Sequence, residues 1–343
     1  MKNKFLSLLL IVMAFFSTQM YAQDTLDRTN DFYDNVPTVN LPFSSIEITG
    51  EVANNQKIDF ASLPLRSVIV KETVLIAQKD TFIGAYRYDG YSLYDILNNT
   101  VVKKKLEAEF GSMIDVWVEI ENNKGEKVTI SWGEIYYPNI RHNIIIATKV
   151  ARIVPSKTKD LWPLPTESRL IVGSDLLTER NISSPTKITV RSFPKSYPVN
   201  KDMPSAFCTV TNIYKNDLKI DSLKKYPSNP FQQLYHTVFY GRGKGIHGIK
   251  NFKGVMFKDV LSKYAEINKK NIKSMMIAVI AKDGFRCVYT FSELFNRNDY
   301  AEVLFIDKSA DKKFGIFSVF PAQDFFSDRA VKAIQEIRIF NQE

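Results

Sequence analysis

An internal repeat constrains this chain more than any other feature, because a duplicated sequence is expected to build the same unit twice. Four segments recur in the same order in the two halves. The most detailed pair places an Asp, an acid followed by Arg, a β-branched residue and a closing strand at identical spacing. Its members are Asp175, Glu179-Arg180, Ile182 and strand 188–190, matched by Asp324, Asp328-Arg329, Val331 and strand 337–339. The pattern predicts two diverged tandem copies of one β-rich domain.

The other repeated segments predict the elements inside each copy. Residues 88–97 and 252–261 each place a Gly before apolar residues at helical spacing, which predicts a short helix. Residues 116–132 and 277–291 each place two apolar runs around a turn that contains Gly125 or Gly284, which is typical of a β-hairpin. Residues 57–60 and 219–222 complete the set. One helix among several strands predicts an α+β fold for each copy, with a β-rich mixed sheet.

The repeat and the composition also predict where the units begin and end. We expect a signal peptide at 1–22, a loose polar leader at 23–41, a first domain at 42–193 and a second domain at 206–343. The linker at 194–205 contains Pro194, Pro198 and Pro204, which favour an extended and semi-stiff connection.

The first residues have the pattern of a cleavable secretory signal. Lys2 and Lys4 precede an apolar run at 5–16, and Ala22 suits the last position before a cut. An uncleaved N-terminal anchor is the alternative. No later segment is apolar over the length of a membrane-spanning helix. The sequence therefore predicts an exported protein, periplasmic or secreted, with no transmembrane segment after cleavage.

Charge and cysteine are both concentrated in the second half. From residue 206 onward, the chain has 22 Lys and Arg and 14 Asp and Glu. This excess of positive charge indicates an anionic partner; a role in solubility alone is the alternative. Nucleic acid is an unattractive partner for an exported chain. Cys208 and Cys287 could form a disulfide in an oxidising compartment or remain two buried thiols.

Several short motifs resemble those of a known family. They are Phe252-Lys253-Gly254-Val255, Lys282-Asp283-Gly284-Phe285, residues 320–324 and residues 329–332. Their order is similar to that of the sulfite-oxidase-type molybdopterin-binding domain family. The resemblance implies a fold that can hold pterin-bound molybdenum through one Cys before the short helix. The corresponding stretches, 74–79 and 236–241, contain no Cys, although such a centre requires a soft thiolate ligand.

The glycine-rich segment 241–250 is the main candidate site. Its glycines free the backbone to approach a ligand, and no acid occurs between positions 236 and 258. We therefore expect it to bind an anionic or pterin-like ligand; a flexible basic surface loop is the alternative. The candidate ligand-binding residues are Arg242, Gly243, Lys244, Gly245, His247, Lys250 and Lys253.

Two other residue sets invite chemical interpretation. The Asp175–Arg180 and Asp324–Arg329 pairs recur in both copies, which favours a structural role over acid–base catalysis. His142, His236 and His247 lack the spacing of a metal site.

The sequence favours a non-catalytic exported protein that binds an anionic small molecule or an envelope protein. It contains no recognisable nucleophile motif. One alternative is a periplasmic oxidoreductase dependent on molybdopterin and molybdenum, and another is a structural component of an envelope assembly.

Overall fold

A computed structural model gives the architecture of residues 36–155, 157–203, 205, 208–228, 231–311 and 315–341. The predicted signal peptide and most of the predicted leader lie outside these residues. The first half contains β1 (Val39–Asn40), β2 (Glu47–Gly50), β3 (Gln56–Lys57), β4 (Arg66–Ile76), β5 (Lys79–Ser92), α1 (Leu93–Leu97), β6 (Val116–Asn122), β7 (Lys127–Ser131), α2 (Trp132–Tyr136), β8 (Ile144–Arg152), β9 (Arg169–Val172) and β10 (Pro185–Ser192). The second half contains β11 (Thr211–Lys215), β12 (Leu218–Leu223), β13 (Gln233–Gly241), β14 (Gly245–Met256), α3 (Phe257–Leu261), α4 (Lys269–Ser274), β15 (Met275–Ala281), β16 (Arg286–Thr290), α5 (Phe291–Phe295), β17 (Val303–Asp307), β18 (Phe317–Pro321) and β19 (Ile334–Asn341).

The expected α+β molybdopterin-binding-type fold is wrong. The chain is 45% strand and 12% helix, and four small sheets are arranged as a four-bladed β-propeller. Sheet I contains β1, β4, β5, β8 and β9; sheet II contains β2, β3, β6, β7 and β10. Sheet III contains β11, β12, β15, β16 and β19; sheet IV contains β13, β14, β17 and β18. The helices have only five or six residues, so they cap strands and do not form a layer of their own.

The two halves build their sheets in the same way. Sheet II has the order β3-β2-β10-β6-β7, and sheet III has the order β12-β11-β19-β15-β16. In each sheet, the strand that comes first in the chain, β2 or β11, runs parallel to the strand that comes last, β10 or β19. Sheets I and IV each contain a long hairpin followed by two shorter antiparallel strands. Within the described residues, no sheet combines strands from both halves.

Several local predictions are confirmed. The two hairpins are β6–β7 and β15–β16, and the two short helices that follow a Gly are α1 and α3. The end of the predicted loose leader differs, because Val39 and Asn40 pair with β8 and Leu41 is buried. The domain boundaries themselves stay a prediction.

Gly90 and Gly254 occupy equivalent positions before these helices, and both positions have a steric need for glycine. A Cβ atom at Gly90 would lie 2.1 Å from the carbonyl oxygen of Ile146, and one at Gly254 would lie 2.3 Å from that of Phe305. Both glycines therefore let the long hairpin strand approach its neighbour, β8 or β17, more closely than a side chain would permit.

Polar side chains join the two halves across their contact. The Ser131 hydroxyl donates to Glu293 at 2.9 Å, and the Thr290 hydroxyl donates to Glu134 at 3.1 Å. Ser131 and Thr290 also cap α2 and α5 of their own halves. The exchange is reciprocal, so each half completes the hydrogen bonding of a buried carboxylate in the other.

A second contact is centred on Arg286, which is fully buried. Its Nε lies 3.0 Å from the Asp115 carboxylate, and its Nη1 lies 3.0 Å from that of Glu109. Lys104 also contacts Asp115, at 2.6 Å. A guanidinium from the second half thus depends on carboxylates of the first, and the halves pack as one body.

Candidate anion-binding site

The glycine-rich segment is part of a β-hairpin and not an open loop. β13 and β14 pair from Gln233–Gly254 to Gly241–Gly245, so only residues 242–244 form the turn. An extended strand directs successive N–H groups to opposite edges. An anion nest needs successive N–H groups that converge on one side, so the strands do not form the extended nest that the glycine content suggested. Gly248, with a φ of +122°, lies at the register shift in β14.

One face of this hairpin supplies the side chains of a small pocket. Phe239 lies opposite Gly248, while Lys250 and Phe252 follow on β14 at alternate positions. Alternate residues of a strand share a face. Phe252 stacks on Phe320 of β18, with ring centroids 3.7 Å apart and planes 9° apart. Phe239 lies 5.8 Å from Phe252 and 6.2 Å from Phe320, so three aromatic rings line one wall.

Three lysines surround this aromatic wall. The cavity has a volume of about 130 Å³ and is lined by Phe239, Lys250, Phe252, Ile306, Lys308, Ser318, Val319, Phe320, Ala330 and Lys332. No acidic side chain is among these residues. The ammonium group of Lys332 lies over the Phe239 ring, 5.5 Å from its centroid. The pocket thus combines positive charge with apolar surface.

The lysines influence one another electrostatically. Burial lowers the pKa of Lys332, and the positive charges of Lys308 and Lys250 lower it further. Like charges held near one another disfavour the protonated form. An anion between them would relieve this repulsion, so the arrangement is suited to binding negative charge.

In the first half, the corresponding face of sheet I is covered. Tyr86 and Tyr88 on β5 occupy the places of Lys250 and Phe252 on β14, since Gly90 matches Gly254. Both tyrosines are buried, and Trp162 packs against their cluster.

The segment between β8 and β9, residues 153–168, provides this cover. The Tyr86 hydroxyl donates to the Pro163 carbonyl at 2.7 Å, and the Trp162 indole N–H donates to the Ile153 carbonyl at 3.3 Å. In the second half, the connection between β17 and β18 is shorter, residues 308–316. Among the described residues, the aromatic cluster of sheet IV is instead bordered by hairpin side chains and keeps a cavity.

The structure places the predicted ligand-binding residues of the glycine-rich segment in different surroundings. Of the seven predicted ligand-binding residues, Lys250 lines the pocket. Arg242 pairs with Asp328 at 3.4 Å, Gly243 and Lys244 lie in the turn, and His247 packs beside Phe239, 5.3 Å from its ring. Lys253 lies on the opposite face of β14, one position from Phe252. Gly245 closes the turn with a φ of +68°.

Sequence reasoning missed Lys308, Lys332 and the three phenylalanines. Lys308 and Lys332 are far from the glycine-rich segment in sequence and meet it only through the sheet. One signal could have found the site. Aligning the two copies places Lys250 at the position of Tyr86 and leaves the second copy without the 153–168 segment that covers the tyrosines.

The repeated Asp–Arg pairs hold the loops before β10 and β19. Arg180 contacts Asp175 at 2.6 Å and Glu134 at 2.5 Å, and Arg329 contacts Asp324 at 2.7 Å. Both guanidinium groups are fully buried. Each arginine thus joins an Asp of its own loop to a Glu of a short helix, Glu134 of α2 or Glu293 of α5.

The histidines lie apart. His142 contacts Ser92 and Asp95, and His236 contacts Asn251. Within the described ranges, no three His, Cys, Asp or Glu side chains gather in a way that could hold a metal ion.

The cysteines do not provide the thiolate that a molybdenum centre would need. Cys208 and Cys287 are free and buried, so the structure lacks the possible disulfide. The Cys208 Sγ lies 3.2 Å from the Ile334 carbonyl oxygen, and the Cys287 Sγ lies 3.8 Å from that of Arg329. Burial raises the pKa of Cys208 to about 11 and that of Cys287 to about 12. Neither residue lines the pocket, and the donor set does not fit a pterin-bound molybdenum.

Comparison with known proteins adds no functional assignment. Among the described residues, no helix reaches the length and hydropathy needed to cross a bilayer. No family model matches the chain, and no curated protein matches it.

Proposed function

We propose that this protein is an exported, non-catalytic binding protein for a small anionic ligand that also carries an apolar group. The ligand occupies the lysine–phenylalanine pocket of sheet IV, defined by Phe239, Lys250, Phe252, Lys308, Phe320 and Lys332. The observation that carries the proposal is the contrast between the halves. The same sheet face is covered by the 153–168 segment over buried tyrosines in the first half. In the second half, the described residues leave a cavity on this face that is lined by three lysines.

The size of the pocket limits the part of the ligand that it encloses. A cavity of roughly 150 Å³ accepts benzene, so the observed volume of about 130 Å³ suits one small ring or a comparable aliphatic group. The anionic group would then lie at the rim, among the ammonium groups of Lys250, Lys308 and Lys332. Aromatic rings favour offset stacking with a flat ligand. We therefore favour an aryl phosphate or aryl carboxylate over a bare inorganic anion.

Calorimetric titration with phenyl phosphate, benzoate and inorganic phosphate tests the proposal. We expect phenyl phosphate to bind more tightly than inorganic phosphate, because only it uses both the rings and the charge. Lys250→Ala and Lys332→Ala should each weaken binding about tenfold, since a hydrogen bond to a charged group contributes about 1.5–3 kcal/mol.

Lys253→Ala is the matched control, because Lys253 lies on the same strand but on its other face. Its affinity for phenyl phosphate should equal that of the wild type. Equal losses in the control and the pocket variants would mean that general basic charge is responsible. Absence of heat with all three anions would refute the proposal.

A further inference from the structure

The face of the β13–β14 hairpin that points away from the pocket carries exposed aliphatic side chains. Val238 on β13 lies directly opposite Ile249 on β14, and Tyr240 lies opposite Ile246. Leu234 continues the row on β13. The exposed fractions are 65% for Ile246, 62% for Ile249, 58% for Leu234 and 45% for Val238. An exposed apolar patch of this kind marks an interaction surface.

The hairpin projects beyond the sheet that holds it. β14 pairs with β17 only through Val255 and Met256, whereas β5 of the first half pairs with β8 from Tyr86 to Ser92. The first hairpin, by contrast, buries its end: Leu75 belongs to the cluster that forms the core of the second half. Its N–H donates to Glu179 of the first half at 2.7 Å.

The end of the second hairpin is held in a different way. The Tyr240 N–H donates to the Ser327 hydroxyl, and the Arg242 N–H donates to Asp328, both at 3.3 Å. These bonds hold the end of β13 and the start of the turn through their backbone. They leave the aliphatic side chains at the surface.

Basic residues border the aliphatic row. Arg242 and Lys244 lie in the turn, and Lys253 lies opposite Leu234. All three are exposed. The chain has no acidic residue between His236 and Lys258, so the hairpin itself contributes only positive charge.

We propose that this face of the hairpin docks on an anionic lipid surface. Aliphatic side chains would enter the boundary between headgroups and acyl chains, while Lys244 and Lys253 contact lipid phosphates. A membrane fits this surface better than a protein partner does. Protein interfaces favour Trp, Tyr and Arg anchors within a polar rim of both charges. This row consists mainly of Ile, Leu and Val bordered by Lys244 and Lys253, and the acid beside the turn, Asp328, is paired with Arg242. The inference does not depend on the ligand pocket, which lies on the other face.

Co-sedimentation of the full chain with vesicles measures this interaction. Vesicles of phosphatidylglycerol and phosphatidylcholine should bind the protein at low salt, and vesicles of phosphatidylcholine alone should bind it far less. Ile249→Asp should lower the partition coefficient at least about tenfold, because it removes an aliphatic group that would enter the lipid and adds a negative charge. Lys244→Ala and Lys253→Ala should each lower it about fivefold, in keeping with roughly 1 kcal/mol for each cation near the surface.

Ile69→Asp on the first hairpin is the matched control, since Ile69 is also exposed on a strand, at 53%. It should leave vesicle binding unchanged. Circular dichroism verifies folding, and Ile246→Ser serves as a second, milder variant with a smaller expected loss. Failure to bind anionic vesicles, or binding that Ile249→Asp does not alter, would overturn the inference. Capture of a protein partner through this face without vesicle binding would also overturn it.

Discussion

Arg180 and Arg329 occupy equivalent positions, and each is fully buried with bonds to two carboxylates. Removal of one partner of a buried ion pair leaves an uncompensated charge, which typically costs 3–5 kcal/mol. We expect Arg329→Ala to lower the free energy of unfolding by about that amount, as measured by denaturant titration. Arg141→Ala, at an exposed position, should change it by less than about 1 kcal/mol. Similar midpoints for the two variants would contradict a structural role for Arg329.

The two thiols provide a second prediction at the level of single residues. Because burial raises the pKa of both groups, Cys208 and Cys287 remain protonated and shielded at pH 8. A colorimetric thiol reagent should therefore react with neither in the native protein and with both in guanidinium chloride. Ser262→Cys, at an exposed position, should react at once in native buffer. Rapid native reaction of the wild type would show that the second-half core is open.

Lys332 should make ligand binding depend on pH. Burial and the neighbouring positive charges hold the pKa of Lys332 below the ordinary lysine value of 10.5, so Lys332 loses its charge at a lower pH than an ordinary lysine does. Phenyl phosphate affinity should therefore fall between pH 7 and pH 10. Lys332→Arg keeps its charge throughout this range, and calorimetry should show a flatter pH profile for it. An equally steep profile in this variant would assign the titration to another group.

At the level of elements, the long hairpins depend on two glycines. Gly254→Ala places a Cβ against the Phe305 carbonyl, and we expect the resulting overlap to cost about 1–3 kcal/mol of unfolding free energy. Gly243→Ala is the control, because no atom lies within 4 Å of its added Cβ. Thermal unfolding of both variants measures the difference. A neutral Gly254→Ala would mean that β14 and β17 can separate without loss.

The sequence predicts local elements well and their assembly poorly. The hairpins around Gly125 and Gly284 and the short helices after Gly90 and Gly254 follow from nearby residues, because turn chemistry and apolar spacing act over a few positions. The division of strands among four sheets depends on pairings between distant segments, such as β2 with β10. The pocket shares this limit: Lys250 lies in a visible motif, but Lys308 and Lys332 reach it only after β17 and β18 pair.

At the level of the whole molecule, the buried bonds of Arg286 make the two halves mutually dependent. All three tryptophans, Trp117, Trp132 and Trp162, lie in the first half. Arg286→Ala in the second half should nevertheless lower the unfolding midpoint reported by tryptophan fluorescence, because Asp115 and Glu109 lose their partner. Circular dichroism should give the same midpoint. Separate transitions in the wild type would show that the halves unfold independently.

Among the described residues, the second half leaves a cavity on a sheet face that the first half covers, and we propose that this cavity binds a small anion. Crystals of the protein grown with phenyl phosphate test it most directly. We predict density for the ring beside Phe239 and Phe252, with the phosphate near Lys250, Lys308 and Lys332. An empty pocket at a ligand concentration that saturates binding in solution, or density only at another site, would contradict the account.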